Sequence, residues 1–192
     1  MLKELTDISD SEKNTFTVFN SDAIHINIYS KDFSKEHYSM EKFAFEAIGD
    51  YLNYLKENVV YDNTRIIIVS DHGEYNVPNN SIAQKYTRFN PLLFVKDFNA
   101  KGEYTVNNEF MTNADTSIMA VKDVIQNPVN PFSKKDIRNF VNKKKIGIYE
   151  SEAFFPVGIG ASECIKSDFN YIEVKQDIFK DENWSGIKEK KK

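Results

Sequence analysis

The residues with the clearest chemical potential are Asp71 and His72, which close the apolar stretch in TRIIIVSDHGEY, residues 64–75. An ionised carboxylate beside a neutral imidazole offers one oxygen and one nitrogen donor, a mixed set that suits zinc, manganese or another divalent ion. Successive side chains on a strand point to opposite faces. Both donors therefore reach one ion only if the chain leaves strand geometry, and Gly73 permits that turn. A plainer reading fits the same residues: an Asp-Gly turn at a strand end, with the histidine hydrogen-bonded at the surface. Two ligands also leave a site incomplete, since a catalytic zinc usually has three from the protein.

His25 is the next candidate. It interrupts the alternating Ile24, Ile26 and Ile28, and it lies near Asp71 if strands 15–20 and 65–70 are neighbours. Otherwise it is a half-exposed strand residue. His37 is expected to face solvent early in a helix, and Cys164, the single cysteine, reads as a small buried or half-buried residue. The chain contains no Gly-rich phosphate loop, no Gly-x-Ser-x-Gly and no His-Glu-x-x-His.

The elements that must carry these residues follow from periodicity. TFTVFN (15–20) reads as a first strand and SDAIHINIYS (21–30) as a two-faced strand or extended loop. A helix is predicted over about 35–58, because Met40, Ala44, Ala47, Ile48, Tyr51, Leu52 and Leu55 recur in steps of three and four. Ser34 is its expected N-cap. VVYDNT makes a turn into a strand at 65–70, expected to be central and buried on both faces. PLLFVKDF gives another strand, turning at 99–102. A helix over about 116–126 is capped by Asp115 and stopped by Asn127-Pro128. Beyond Pro131 a short helix (134–142) and strands near 145–149 and 171–175 suggest a peripheral antiparallel addition. The expected class is α/β: a partly parallel sheet flanked by helices, with that small C-terminal addition.

The 192 residues suit one ordinary domain or a large part of a bigger one. With 25 basic and 29 acidic residues and a net charge of −4, no general attraction to nucleic acid or anionic lipid is expected. A lone cysteine excludes an internal disulfide. No apolar run approaches the roughly 20 residues of a membrane span, and the first residues show no signal-peptide pattern. The tail KEKKK (188–192) reads as a solvated, disordered end.

The segment DNTRIIIVSDHGE (62–74) resembles the metal-binding strand of the sulfatase-like branch of the alkaline-phosphatase superfamily. The nearest subgroup is similar to lipoteichoic-acid synthases and to phosphoethanolamine or phosphoglycerol transferases. Further stretches resemble the same family in order: FTVFNSDAIH, YLNYLKENVVYDNT, RFNPLLFVKDF, NADTSIMAVKDVI and DIFKDENW. Together they span about residues 14–185.

The resemblance implies that Asp71 and His72 ligate a divalent ion (Mn, Zn, Mg or Ca) and that His25 contacts a phosphate or sulfate ester. It implies phosphoryl or sulfuryl transfer, or ester hydrolysis, at the extracytoplasmic face of a cell membrane. In that family an acidic ligand and a Thr, Ser or formylglycine nucleophile precede the matched region. No catalytic nucleophile is therefore expected in this chain. On this view residues 1–130 are the C-terminal portion of the catalytic domain, 131–185 its closing segment and 186–192 a tail. Such an incomplete alkaline-phosphatase-like half is expected to be inactive alone and to self-associate or await its missing half. A non-catalytic remnant or interaction module is the alternative. The proline usual three residues after this aspartate is absent, with Ile118 in its place, so capping alone is expected of Asp115.

Overall fold

The computed structural model describes residues 2–10, 13–21, 33–73, 87–130, 134, 136, 143–151 and 169–186. They form a mixture of helix and strand in two compact units, Met1–Arg65 with Asp97–Lys101 and Ile66–Lys96 with Gly102–Lys192. His25, Cys164, most of the helix expected over 134–142 and the KEKKK tail lie outside the described residues. No helix among the described residues is long and apolar enough to cross a membrane.

The first unit is organised by α1 (Phe33–Glu57). Its apolar stripe runs as the sequence predicts in the C-terminal half. Leu55 is buried, and Ala44, Ala47, Ile48, Tyr51 and Leu52 are half-buried, whereas Met40 sits at the exposed margin. Tyr51 anchors the N-terminal residues: its hydroxyl accepts a hydrogen bond from Thr6 Oγ1 at 3.1 Å, and its ring meets Phe19 edge-on at 5.4 Å. Ser34 falls inside the first turn rather than capping it, because the helix already begins at Phe33. The helix ends in a tight turn, with the Val60 amide donating to the Leu55 carbonyl at 3.0 Å and Val59 in the left-handed region (φ 60°). In the same unit Arg65 donates twice to Asp97 Oδ1, at 2.9 Å and 2.7 Å, and its guanidinium lies 4.4 Å from the Phe98 ring centre.

Residues 15–20 do not form the expected strand. They carry no regular structure and join no ladder among the described residues, and Phe16 and Val18 are well exposed. Alternation records two faces but supplies no partner, and a strand requires one.

The second unit carries two sheets. β1 (Ile66–Val69) pairs antiparallel with β2 (Leu93–Lys96), from Ile66 opposite Lys96 to Val69 opposite Leu93. The pairing continues past the strand end, where the Ser70 amide donates to the Leu92 carbonyl at 3.1 Å. Both sheets among the described residues are antiparallel, so the expected parallel pairing is not found there. An unbroken apolar run is typical of parallel strands buried on both faces but does not require that direction. Nor are these strands fully buried: Ile66, Ile67 and Ile68 are half-buried and Val69 is exposed.

After β2 comes the short α2 (Thr116–Val121), which stops five residues before the predicted end at 126. β3 (Lys145–Ser151) and β4 (Phe169–Lys175) then form the antiparallel hairpin anticipated beyond Pro131. A two-residue β5 (Trp184–Ser185) pairs with β4 as a third strand. Period-two alternation decides the core here. Ile172 and Val174 point inward and pack with Trp184, whereas Tyr171 and Lys175 face out. Ile146, Ile148, Phe89, Phe110 and Ile178 cover this cluster. The Trp184 indole N–H is satisfied by the Ile178 carbonyl at 2.8 Å.

Candidate functional site

The site is the turn where β1 ends. Ser70 closes the ladder with both backbone and side chain, its Oγ accepting the Leu92 amide at 2.8 Å. From there the chain leaves strand geometry. The Asp71 and His72 side chains do not diverge: Asp71 Oδ2 and His72 Nε2 stand 3.8 Å apart. Asp71 Oδ1 also accepts the His72 amide at 3.0 Å, which sets the carboxylate's orientation. Both side chains reach solvent, at 89% exposure for Asp71 and 45% for His72.

The second imidazole nitrogen fixes the ring. His72 Nδ1 lies 2.7 Å from the Gly73 carbonyl oxygen. A carbonyl only accepts, so Nδ1 carries the proton and the neutral ring has its lone pair on Nε2, the nitrogen turned towards Asp71. A ring N–H held by a backbone carbonyl is the usual support of a metal-ligating histidine. Two donors on one tetrahedral zinc stand about 3.4 Å apart. The observed separation is a few tenths of an ångström wider. The 3.8 Å contact is also the separation of an aspartate–histidine ion pair. Among the described residues, no group of three His, Cys, Asp or Glu side chains is assembled for a metal.

Gly73 serves the turn in a different way from the one its sequence position suggests. Its amide donates to the Arg88 carbonyl at 2.8 Å, and it lies against the 3-10 turn Thr87–Phe89. Its need is close approach, since a Cβ there would meet the Thr87 and Asn90 carbonyl oxygens.

Two contributions are not visible in the sequence. Asn113 Nδ2 donates to the carbonyls of Ser70 (2.9 Å) and Asp71 (3.1 Å). Asp115 does not make the side-chain cap of α2 expected of it; its carboxylate instead closes a capping box with Thr112 on the 3-10 turn before the helix. It is buried. Its Oδ2 accepts the Thr112 amide at 2.7 Å and the Thr112 hydroxyl at 3.0 Å, while Oδ1 pairs with Lys143 Nζ. Burial pushes its carboxyl pKa up, but the Lys143 and Thr112 hydrogen bonds outweigh that, and the net shift is downward. No local signal in the sequence points to Lys143. No family model, no curated protein and no solved structure matches the chain.

Proposed function

We propose that Asp71 and His72 supply two ligands of a divalent-cation site, and that the chain is part of a sulfatase-like domain for phosphoryl or sulfuryl transfer or ester hydrolysis. One observation carries this reading. The carboxylate oxygen and the lone-pair nitrogen converge to 3.8 Å at the carboxyl end of a strand, with the opposite ring nitrogen already engaged by Gly73. The resemblance of residues 62–74 to the family's metal strand supports the same assignment.

In this reading β1 and β2 belong to a larger alkaline-phosphatase-like sheet, and His25 binds a non-bridging oxygen of the ester. A bound divalent ion offsets charge on the phosphoryl or sulfuryl oxygens and lowers the pKa of a hydroxyl nucleophile. The chain's own work is positional. Ser70 and Gly73 pin the turn on either side, the Gly73 carbonyl holds the His72 tautomer, and the Asp71 carboxylate is aimed by the His72 amide.

Calorimetric titration with Mn2+ and Zn2+, wild type against Asp71→Ala, tests the proposal. Wild type is expected to bind, with affinity lost in the variant. Equal titration curves would overturn the cation site and favour a non-catalytic interaction module.

A further inference from the structure

We infer that Asn113 is a positioning residue for the Asp71–His72 pair, an inference that rests on the cation-site reading above. Consecutive carbonyls along an extended strand point in opposite directions. A single side-chain amide therefore serves two of them in a row only where the chain has turned. Asn113 Nδ2 does this, reaching Ser70 O at 2.9 Å and Asp71 O at 3.1 Å from more than forty residues away in sequence. Both acceptors are carbonyl oxygens, so the nitrogen end of the amide must face them. The two bonds span the peptide where β1 gives way to the turn. It is this turn that brings successive side chains, Asp71 and His72, to one side.

Asn113 is itself held from behind. Its carbonyl accepts the Thr116 hydroxyl at 2.6 Å. The preceding Thr112 is bound through amide and hydroxyl to Asp115, which Lys143 neutralises. The 3-10 turn Asn113–Asp115 thus acts as a fixed bracket presenting one amide to the ligand-bearing turn. Without the bracket, the Ser70 and Asp71 carbonyls turn to water and the two donors sample separations that do not suit one ion.

Asn113→Leu keeps the approximate side-chain shape, adds no charge and removes both donors. With Mn2+ alone as the probe, its affinity is expected to fall about tenfold relative to wild type, the scale seen when groups that orient ligands are removed. The carbonyl carbon resonances of Ser70 and Asp71 are expected to move upfield, as a carbonyl losing its donor does, while Trp184 emission reports an intact core. Unchanged affinity together with unchanged carbonyl shifts would overturn the inference. Should the variant fail to fold, the wild-type protein still decides. Scalar coupling between Asn113 Nδ2 and the Ser70 and Asp71 carbonyl carbons supports it, and absence of coupling overturns it. The parent reading fails separately, when wild type and Asp71→Ala titrate alike. Loss of Mn2+ in Asp71→Ala with full binding in Asn113→Leu sinks the positioning role alone.

Discussion

Gly73 and Thr87 approach so closely that a Cβ built on Gly73 would lie 2.1 Å from the Thr87 carbonyl oxygen and 2.7 Å from that of Asn90. Both obstacles are backbone atoms, and one of them belongs to the turn that also accepts the Gly73 amide. Relief therefore means moving the 70–73 turn or the 87–90 turn as a body. Gly73→Ala is expected to cost roughly 2–3 kcal/mol, the upper part of the range for overpacking a filled site. Gly147 provides the control. Its added Cβ would meet the Tyr171 ring at 2.7 Å, a half-exposed side chain that can swing away. Gly147→Ala should lose no more than about 1 kcal/mol, the worth of the Tyr149–Tyr171 ring contact. Thermal unfolding followed by Trp184 fluorescence compares the two, and equal midpoints would contradict the packing described for Gly73.

Val59 occupies the left-handed region at φ 60° and is 88% exposed. A β-branched residue gains nothing there from packing and pays the steric cost of its Cβ against the carbonyl, about 1–2 kcal/mol. Glycine removes that clash but has more freedom to lose on folding. The net expectation for Val59→Gly is a stabilisation of about 1 kcal/mol. A rise in the urea midpoint, at an unchanged slope of free energy against urea, is the measurement. A fall would mean that the α1 terminus does not adopt this turn.

What the sequence discloses and what it hides follow one physical division. Period-based signals survive wherever an element buries a face against something. The Leu55 stripe of α1 and the Ile172–Val174 alternation of β4 both appear where expected. The same signal misleads at Phe16 and Val18, which alternate but pair with no strand among the described residues and remain exposed. Strand direction is hidden for a related reason, because the apolar runs of β1 and β2 read alike in either orientation. The proposed ligands Asp71 and His72 are picked out by local features, donor chemistry and adjacency. Asn113 and Lys143 are not, because each acts on residues 28 to 43 positions away. Trp184 shows the same limit: a two-residue strand has too few positions to display any period.

The Asp115–Lys143 pair makes the stability of the second unit depend on pH in a way that can be isolated. The Asp115 carboxyl is held below its ordinary value in the folded chain: burial opposes this, and the hydrogen bonds from Lys143 and Thr112 prevail. A carboxylate whose folded pKa lies below its unfolded value adds stability above the unfolded pKa, about 3.9, and that contribution fades as pH falls from there through the lowered folded value. Glu173 is shifted the same way, chiefly by its hydrogen bond from Lys145, so the acid sensitivity of wild type alone does not identify its source. The difference between wild type and Asp115→Asn does, because Glu173 is common to both and cancels. Asparagine keeps an acceptor for the Thr112 amide but loses the charge that Lys143 pairs with. At pH 7 the variant should be less stable by about 2 kcal/mol, the scale of a hydrogen bond to a charged group. Below pH 4 the gap should close from the wild-type side, as Asp115 takes up a proton and the variant has none to take at that position. Urea unfolding at a series of pH values, read by Trp184 emission, tests this, and two curves that stay parallel from pH 7 into the acid range would show that the ion pair does not hold the bracket behind Asn113.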